Sequence, residues 1–415
     1  MEKMQYNSKR LSLFVFTFLA SAILAAQDLP VQWNTEKLFR CPTSQPLPSM
    51  DEEDVKAVLI EGPLYKGEPT RFFAYYALPK DASPEHPVPA MVLVHGGGGS
   101  AFPEWVREWV ARGFAAISLD TTGKLPIRLP NDPLSQNYAN WALLPEGIHL
   151  DWGGYERGSR DAQEQWSYCA VSEVIHAHSF LRSQEGVDKE RIGITGNSWG
   201  GFLTLLTSAV DTRFRLAAPL YACGYYGDFL NNLTLPQNEA SEQWLKLWDP
   251  SHYVPSIKMP LMWYGGAGDI CFDWGCVQRT FQLFQSPLYR VGRPAVVHID
   301  GANPYGRPNE VYAFAQSILQ QQDKSYPLVE IESVKKGKAS ARFSCEGYKV
   351  IRAELYYTTN EEGKWSERKW DFIEFEVDST KNTFKFRIPK EAKHYFLNIF
   401  TEEGLASSTL MYENK

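Results

Sequence analysis

The chain has 415 residues, of which 44% are hydrophobic and 14% aromatic, so it can bury a large core and is not an intrinsically disordered protein. This length exceeds that of one typical domain, which predicts two or three domains. The formal net charge at pH 7 is −7 and no basic block interrupts the sequence, which argues against a nucleic acid as partner.

The amino-terminal segment has the pattern of a signal peptide. Its first ten residues contain three basic side chains, an apolar stretch runs over Leu11–Leu24, and Ala25-Ala26 supplies the small residues of a cleavage site. The apolar stretch is short for a membrane span and no second one follows. We therefore expect residues 1–26 to be removed from an exported protein, periplasmic or secreted, whose mature form is not in the membrane. An uncleaved amino-terminal anchor is the alternative.

Predicted strands and helices follow the signal peptide. Val55–Ile60 and Arg71–Leu78 are predicted strands of an amino-terminal β extension. Ala90–Val94 is a continuous apolar run, as a strand buried on both faces requires. Glu104–Arg112 is a predicted helix, and Phe114–Asp120 is the next predicted buried strand.

Strands and helices continue to alternate through the middle of the chain. The predicted strands are Leu216–Tyr221, Pro260–Tyr264 and, as the last one, Ala295–Ile299; the predicted helices are Gln163–Arg182, Phe281–Phe284 and Glu310–Gln320. This alternation predicts an α/β fold with a doubly wound, mostly parallel sheet.

The segment Arg191–Gly201 predicts the nucleophile. An apolar strand pattern stops at G-N-S-W-G and a helical pattern follows, which is the strand–turn–helix context of a G-x-S-x-G nucleophile elbow. Side chains at Gly196 or Gly200 would collide with the strand and the helix. The sharp turn would expose Ser198 Oγ at the carboxyl edge of the sheet. It would also direct the N–H of Trp199 at a developing oxyanion.

A glycine-rich loop follows the strand Ala90–Val94 and reads H-G-G-G-G-S. Bare backbone N–H groups in such a loop can approach a substrate oxygen, and this motif type supplies the other half of an oxyanion hole. Gly97 and Gly98 are the candidate donors. A flexible hinge is the alternative interpretation.

The order Ser…acid…His is typical of an α/β-hydrolase triad. Asp269 follows a predicted strand in a glycine-rich turn and is the candidate acid, with Asp273 as the alternative. The histidine should lie in the loop after the last strand, but residues 300–306 contain none. His298 is the nearest, although it falls inside the predicted strand. Either His298 or another histidine is the base, or the triad is incomplete.

Residues 121–160 form a long segment rich in glycine, proline and aromatic side chains, which at the carboxyl edge of the sheet would cover the site. Its aromatic residues are Tyr138, Trp141, Trp152 and Tyr155. They could stack on sugar rings or form a small core of the loop itself.

Six cysteines are few for an exported chain of this size. Cys271 and Cys276 are close enough in sequence to pair, but spacing does not decide it, and most cysteines are expected to be small buried residues. No Cys/His cluster has the spacing of metal ligands. We therefore expect neither a metal nor another cofactor.

The pattern changes after Tyr326, where short alternating runs separated by turn residues replace helices. About seven such runs predict a small all-β sandwich of immunoglobulin-like type. We accordingly predict a signal peptide at 1–26, a hydrolase domain with its β extension at 27–325, and a β-sandwich domain at 326–415. The sandwich contains no catalytic constellation and is expected to be separable.

Residues 90–325 resemble the secreted bacterial α/β-hydrolases of the acetyl-xylan-esterase and dienelactone-hydrolase-like group, which often carry a carboxyl-terminal β-domain. The resemblance rests on V-H-G-G-G-G-S-A-F-P-E-W-V, R-G-F-A-A-I-S-L-D, V-D-K-E-R-I-G-I-T-G-N-S-W-G-G, L-W-D-P-S and E-V-Y-A-F-A. It implies Ser198 as nucleophile, Asp269 as acid, and Trp199 with Gly97 and Gly98 as oxyanion donors. Relatives carry an H-G-H-like segment where this chain has D-G-A-N.

The function predicted from these features is a serine ester hydrolase, acting through an acyl-enzyme on a small-molecule or oligosaccharide ester such as acetylated xylan. A peptidase related to prolyl oligopeptidase is one alternative, although no propeller-like repeat precedes the hydrolase part. A catalytically impaired homologue that binds a glycan or a partner is the other, and the missing histidine is its evidence.

Overall fold

The computed structural model describes residues 29–126, 141–230, 236, 238–298, 308–320 and 323–414. The predicted signal peptide and the D-G-A-N segment therefore lie outside the described residues, as does Tyr138.

Helices of the described residues are α1 (Thr35–Leu38), α2 (Pro103–Val110), α3 (Trp166–Arg182), α4 (Trp199–Val210), α5 (Tyr226–Leu230), α6 (Glu239–Trp248), α7 (Trp274–Phe281) and α8 (Asn309–Leu319). Strands of the amino-terminal and middle parts are β1 (Ser44–Pro46), β2 (Lys56–Glu61), β3 (Arg71–Ala77), β4 (Val88–Val94), β5 (Ala115–Leu119), β6 (Lys124–Pro126), β7 (Trp141–Leu143), β8 (Val187–Asn197), β9 (Leu216–Leu220), β10 (Leu261–Gly265) and β11 (Leu288–Gly292). Strands of the carboxyl-terminal part are β12 (Ser325–Lys335), β13 (Lys338–Glu346), β14 (Val350–Thr358), β15 (Asp371–Glu376), β16 (Thr383–Arg387), β17 (His394–Thr401), β18 (Ala406–Ser408) and β19 (Tyr412–Glu413).

The central sheet has nine strands in the order β1-β2-β3-β5-β4-β8-β9-β10-β11. The strands β1, β2 and β3 pair antiparallel with one another, and β3 pairs antiparallel with β5. All pairings from β5 to β11 are parallel. The predicted α/β fold with a mostly parallel sheet and an amino-terminal β extension is confirmed. Because parallel strands end at one edge, the loops after β4, β8, β10 and β11 meet there.

Apolar side chains pack the helices against the two faces of the central sheet. The strand β4 is buried over six consecutive residues, because helices cover both of its faces. The helices α2 and α8 pack through Trp109 and Tyr312, whose ring centroids are 4.7 Å apart. The helices α3 and α4 contact through the stacked rings of Trp166 and Phe202.

The carboxyl-terminal part is a sandwich of two antiparallel sheets, ordered β12-β13-β16 and β15-β14-β17-β18, with β19 paired to β17. Alternate side chains of both sheets form one core, with Ala341 and Phe343 on one side and Leu355 and Leu397 on the other. This confirms the predicted all-β sandwich. Whether it is a domain of its own beginning at residue 326 stays a prediction.

The sandwich packs closely against the last strand of the central sheet. Phe396, Phe400 and Leu405 belong to the same buried cluster as the core around the central sheet. Gly292, the final residue of β11, donates its N–H to Ser408 Oγ at 2.7 Å, and its carbonyl accepts from Asn398 Nδ2 at 2.9 Å. The edge of the large sheet is therefore covered by β18, which removes an exposed strand edge.

The structure corrects the predicted last strand. The described part of that run, residues 295–298, is not a strand; the strand is Leu288–Gly292, and a turn closed by Val296 N–H and the carbonyl of Arg293 follows it. The apolar run was misleading because the true edge strand contains Arg290. That side chain is buried beside Ser408 and Glu330 of the sandwich.

A second correction concerns the helix predicted at Phe281–Phe284. The helix α7 ends at Phe281 and begins at Trp274, with the Asp273 side chain accepting from Cys276 N–H as its cap. Aspartate is a preferred residue at this position, because its carboxylate satisfies an otherwise unpaired N–H group of the first turn.

All six cysteines are unpaired, so Cys271 and Cys276 do not form a disulfide. Cys169, Cys223 and Cys276 are buried, in line with small apolar roles. Within the described ranges, no helix has both the length and the apolar character that crossing a membrane requires.

Candidate active site

The turn between β8 and α4 has the geometry of a nucleophile elbow. Ser198 adopts φ 56° and ψ −121°, a strained conformation for a residue with a side chain. A Cβ atom at Gly196 would lie 2.3 Å from the carbonyl oxygen of Gly200. One at Gly200 would lie 2.2 Å from the carbonyl oxygen of Val94. Only glycine fits at both positions, which is the physical reason for the motif.

His298 lies beside this serine, six residues beyond the end of β11. Its Nε2 is 3.0 Å from Ser198 Oγ, within hydrogen-bonding distance although the two residues are 100 apart in sequence. The ring of His298 packs between Tyr221 and Phe272, at centroid distances of 5.6 and 5.4 Å. These contacts hold the imidazole in one orientation.

Asp269 completes a chain of hydrogen bonds. Its Oδ2 is 3.1 Å from His298 Nδ1, and its Oδ1 accepts from the backbone N–H groups of Cys271 and Phe272 at 2.7 and 3.0 Å. Because a carboxylate only accepts, Nδ1 carries the proton, and Nε2 is left free to accept from Ser198 Oγ–H. The alternative acid, Asp273, instead caps α7.

The side chain of Cys271 lies next to Asp269 and His298. Cys271 Sγ, a carboxylate oxygen of Asp269 and a ring nitrogen of His298 all lie within 4.8 Å of one another. Cys271 is partly exposed, whereas Asp269 is buried.

The glycine-rich loop after β4 lies against the elbow. Gly99 N–H bonds to the carbonyl of Gly96, so the tight turn does not use the N–H groups of Gly97 and Gly98. Gly98 has φ +72°, a conformation that glycine adopts without strain. A Cβ at Gly97 would meet the Trp199 ring at 2.7 Å, which shows how closely the loop backbone approaches the elbow.

His95 fixes the start of this loop. Its Nδ1–H donates to the carbonyl of Gly96 at 2.7 Å, and its Nε2 accepts from the N–H of Thr121 at 3.1 Å. Burial lowers the pKa of His95, so the ring stays neutral in this role. His95 thus joins the loops after β4 and β5 and is not available to Ser198.

Aromatic side chains form the wall beneath the elbow. Trp199 contacts Trp152 and Tyr155 of the long segment, at centroid distances of 5.5 and 6.0 Å. Tyr155 also packs on Trp244, so it belongs to an internal cluster. Trp152 keeps 45% of its surface exposed at the rim. Tyr155 therefore fits the interpretation as a small internal core, whereas stacking of Trp152 on a sugar ring stays a prediction.

The structure brings together Ser198, His298 and Asp269, with Trp199 and Gly97 beside them. The sequence prediction left His298 inside a strand, whereas the structure places it in the loop that follows β11. No local pattern indicated the approach of Cys271 to His298, because the two residues lie 27 positions apart in the chain.

Comparison with known proteins identifies related chains. The acetyl xylan esterase (AXE1) family matches residues 44–260, just over half of the chain. This range contains the glycine-rich loop and the elbow and ends before Asp269 and His298. The similarity to that family therefore carries no information on the last two residues of the hydrogen-bond chain.

Two solved structures share the fold. The acetyl xylan esterase from Paenibacillus sp. R4 superimposes with a TM-score of 0.54 at 19% identity, covering 69% of this chain and 92% of that chain. Acetyl xylan esterase 1 from Thermoanaerobacterium sp. JW/SL YS485 gives a TM-score of 0.50 at 16% identity, covering 69% and 91%. At these identities the likeness concerns the fold.

Among curated proteins, dipeptidyl aminopeptidase BIII of Pseudoxanthomonas mexicana is 22% identical over 231 residues, which are 47% of this chain and 28% of that protein. The chain thus spans less than a third of the length of this relative. Together, the family match, the fold and this relative identify a serine hydrolase of the α/β-hydrolase type.

Proposed function

Because the chain belongs to the acetyl xylan esterase (AXE1) family, we propose that it is a serine esterase that removes acyl groups from carbohydrate esters. One observation carries the proposal: Ser198, His298 and Asp269, from three separate loops, form one continuous chain of hydrogen bonds. A serine hydroxyl is a weak nucleophile until a neighbouring base accepts its proton, and His298 Nε2 is in position to do so.

In the proposed reaction, Ser198 Oγ attacks the ester carbonyl while its proton passes to His298 Nε2. The backbone N–H groups of Trp199 and Gly97, with Gly98 as the further candidate, stabilise the oxyanion of the tetrahedral intermediate. The imidazolium then protonates the departing sugar oxygen, which leaves as an alcohol. Water attacks the acyl-serine by the same route in reverse, releases the carboxylic acid and restores the serine.

Asp269 acts on the histidine and not on the substrate. Its carboxylate, held by two backbone N–H groups, keeps the proton on Nδ1 and stabilises the imidazolium that forms during attack. The buried position of the carboxylate strengthens that interaction, because little water screens it.

Two features favour a carbohydrate ester over a peptide. The family match concerns acetyl xylan esterases, and the half-exposed Trp152 offers a flat apolar face at the rim on which a sugar ring can stack. The peptidase alternative is supported by the similarity to dipeptidyl aminopeptidase BIII. The impaired-homologue alternative rested on the lack of a histidine at 300–306, and the position of His298 weighs against it.

The decisive test compares wild type with Ser198→Ala on acetylated xylan and on p-nitrophenyl acetate. We expect the variant to lose about 10⁴-fold or more in kcat, because it removes the attacking oxygen and leaves the glycines and the backbone of the turn unchanged. An active Ser198→Ala protein would rule out this site. Faster turnover of aminoacyl p-nitroanilides than of esters would instead favour the peptidase.

We also propose that the protein is exported, on the strength of the amino-terminal pattern alone. Mass spectrometry of the protein recovered outside the cytoplasm should find an amino terminus at or near Gln27. Recovery of a chain that still starts at Met1 would favour the uncleaved anchor.

A further inference from the structure

Three side chains with different ligand chemistry converge next to the proposed nucleophile. Asp269 offers a carboxylate oxygen, Cys271 a sulfur and His298 a ring nitrogen, and these atoms all lie within 4.8 Å of one another. A tetrahedral Zn²⁺ bonds such ligands at about 2.0–2.3 Å, which places them about 3.3–3.8 Å from each other. Movements of the ligand atoms by about 1 Å would bring them to these distances around an ion.

We propose that Asp269, Cys271 and His298 form an inhibitory site for a Zn²⁺-like divalent cation. The metal-binding part stands on the geometry of the three side chains, whereas the inhibition rests on the proposed function. Zn²⁺ accepts carboxylate, imidazole and thiolate together, a mixed set that the hard cations Mg²⁺ and Ca²⁺ do not favour. The two anionic ligands also neutralise the charge of the ion.

The loop after β10 presents two of the ligands as one unit. Asp269 Oδ1 accepts from the N–H of Cys271, so the carboxylate and the thiol-bearing residue are fixed to each other. That contact leaves Oδ2 facing His298. Cys271 is partly exposed and the side chain of His298 retains 13% of its accessible surface, so an ion can enter from solvent.

Coordination at either ring nitrogen removes the base from Ser198. If Nε2 binds the metal, its lone pair is no longer available to the serine hydroxyl. If Nδ1 binds it, the neutral ring must carry its proton on Nε2, which then cannot accept a second one. The Cys271 thiol gives up its proton to solvent as the thiolate binds, and no oxidation is involved.

The direct test measures binding of Zn²⁺ to the full chain by calorimetry, and of Co²⁺ by its thiolate charge-transfer absorption. We expect one ion per chain, a charge-transfer band, and at least a tenfold loss of Zn²⁺ affinity in Cys271→Ser. Cys345→Ser is the matched control, because Cys345 is also partly exposed but lies in the β-sandwich. Equal affinity in Cys271→Ser and wild type, or no charge-transfer band, would overturn the site.

Two further measurements separate this site from the proposed function. Ser198→Ala should bind Zn²⁺ as wild type does even though it is inactive, so a failed esterase assignment would leave the binding result intact. In the active protein, Zn²⁺ should suppress hydrolysis of p-nitrophenyl acetate, and a chelator should restore it. The ratio of the rate without Zn²⁺ to the rate with Zn²⁺ should be at least tenfold smaller in Cys271→Ser than in wild type. An unchanged ratio would refute inhibition through this cysteine.

Discussion

At the scale of single residues, the site depends on a histidine that local sequence conceals. His298 touches Ser198 on one side and Asp269 on the other, and both contacts are made by ring nitrogens about 3 Å from oxygen atoms. The strained backbone of Ser198 complements this arrangement, because it holds Oγ away from its own helix and towards the imidazole. The strained turn is local to the elbow, whereas the contacts of His298 join residues that are far apart in the chain.

The base assignment predicts the behaviour of His298→Gln. Glutamine roughly keeps the volume and polarity of the ring but cannot accept and return a proton, so kcat/KM on p-nitrophenyl acetate should fall about 10³-fold or more. The melting temperature should stay close to that of wild type, because the side chain lies at the edge of the core. The exposed residue His86 provides the control His86→Gln. Undiminished turnover in His298→Gln would show that this site lacks a histidine base.

A buried acid outside the hydrogen-bond chain of Ser198 predicts a pH effect on stability. Glu173 on α3 is buried, and burial, followed by the Asp120 carboxylate, raises the pKa of its side chain well above the usual value. Between the unfolded and folded pKa values, the folded state keeps a proton that the unfolded state has lost. Stability therefore falls as pH rises through this range.

Glu173→Gln mimics the protonated acid and should remove this penalty. We expect the variant to gain stability relative to wild type, and the gain should be larger at pH 8 than at pH 5 in thermal unfolding. Glu185→Gln, an exposed position, should show no such trend. A Glu173→Gln protein whose difference from wild type is the same at both pH values would contradict the prediction.

At the scale of elements, β11 is the strand on which the position of His298 depends. It is the edge strand of the large sheet, and its last residue, Gly292, has both backbone groups bonded to side chains of the sandwich. Five residues of turn and loop, 293–297, then lead to His298. The sandwich therefore fixes the point from which the histidine loop departs.

Ser408→Ala tests this connection. The change leaves the buried N–H of Gly292 without its acceptor, at a cost of about 1–3 kcal/mol in unfolding free energy. We expect kcat to fall several-fold while KM changes little, because the loop that carries His298 loses a support. Ser407→Ala is the matched control: Ser407 is equally buried, and its Oγ has no hydrogen-bond partner within the described residues. Equal kinetics in the two variants would refute a positioning role for Ser408.

At the scale of the whole molecule, the chain is an α/β-hydrolase part and a β-sandwich that share buried surface. Aromatic and aliphatic residues of β17 and its turn, among them Phe396 and Leu405, extend the hydrophobic cluster of the hydrolase. Trp274 of α7 reaches Met411 across this contact. Such an apolar junction favours a fixed relation between the two parts over free movement.

A chain that ends near Gln322 measures how much the sandwich contributes. We expect it to retain residual hydrolysis of a small aryl ester, since Ser198, Asp269 and His298 all remain. It should unfold at clearly lower temperature, because Arg290 and Gly292 lose their partners and apolar surface is exposed. Circular dichroism establishes that the shortened chain is folded before its rate is compared. A folded protein without any activity would show that the sandwich is required for the site.

The sequence by itself determined the features that are encoded locally. The elbow was predictable because Gly196, Ser198 and Gly200 lie within five residues, between a strand pattern and a helix pattern, and steric exclusion acts over that distance. The glycine-rich loop and Asp269 were predictable for the same reason, since each directly follows an apolar strand. The sandwich was predictable from regularly spaced alternating runs.

Only the tertiary structure decided where the histidine lies and what surrounds it. The end of β11 depends on Arg290, a charged residue that a buried strand accepts only because the sandwich supplies its carbonyl and carboxylate partners. Without that knowledge, the more apolar run 295–299 is the better strand, and His298 is hidden in it. Its contact with Ser198, and the approach of Cys271 to the same ring, join residues far apart in the chain, and such distances are set by packing and not by local pattern.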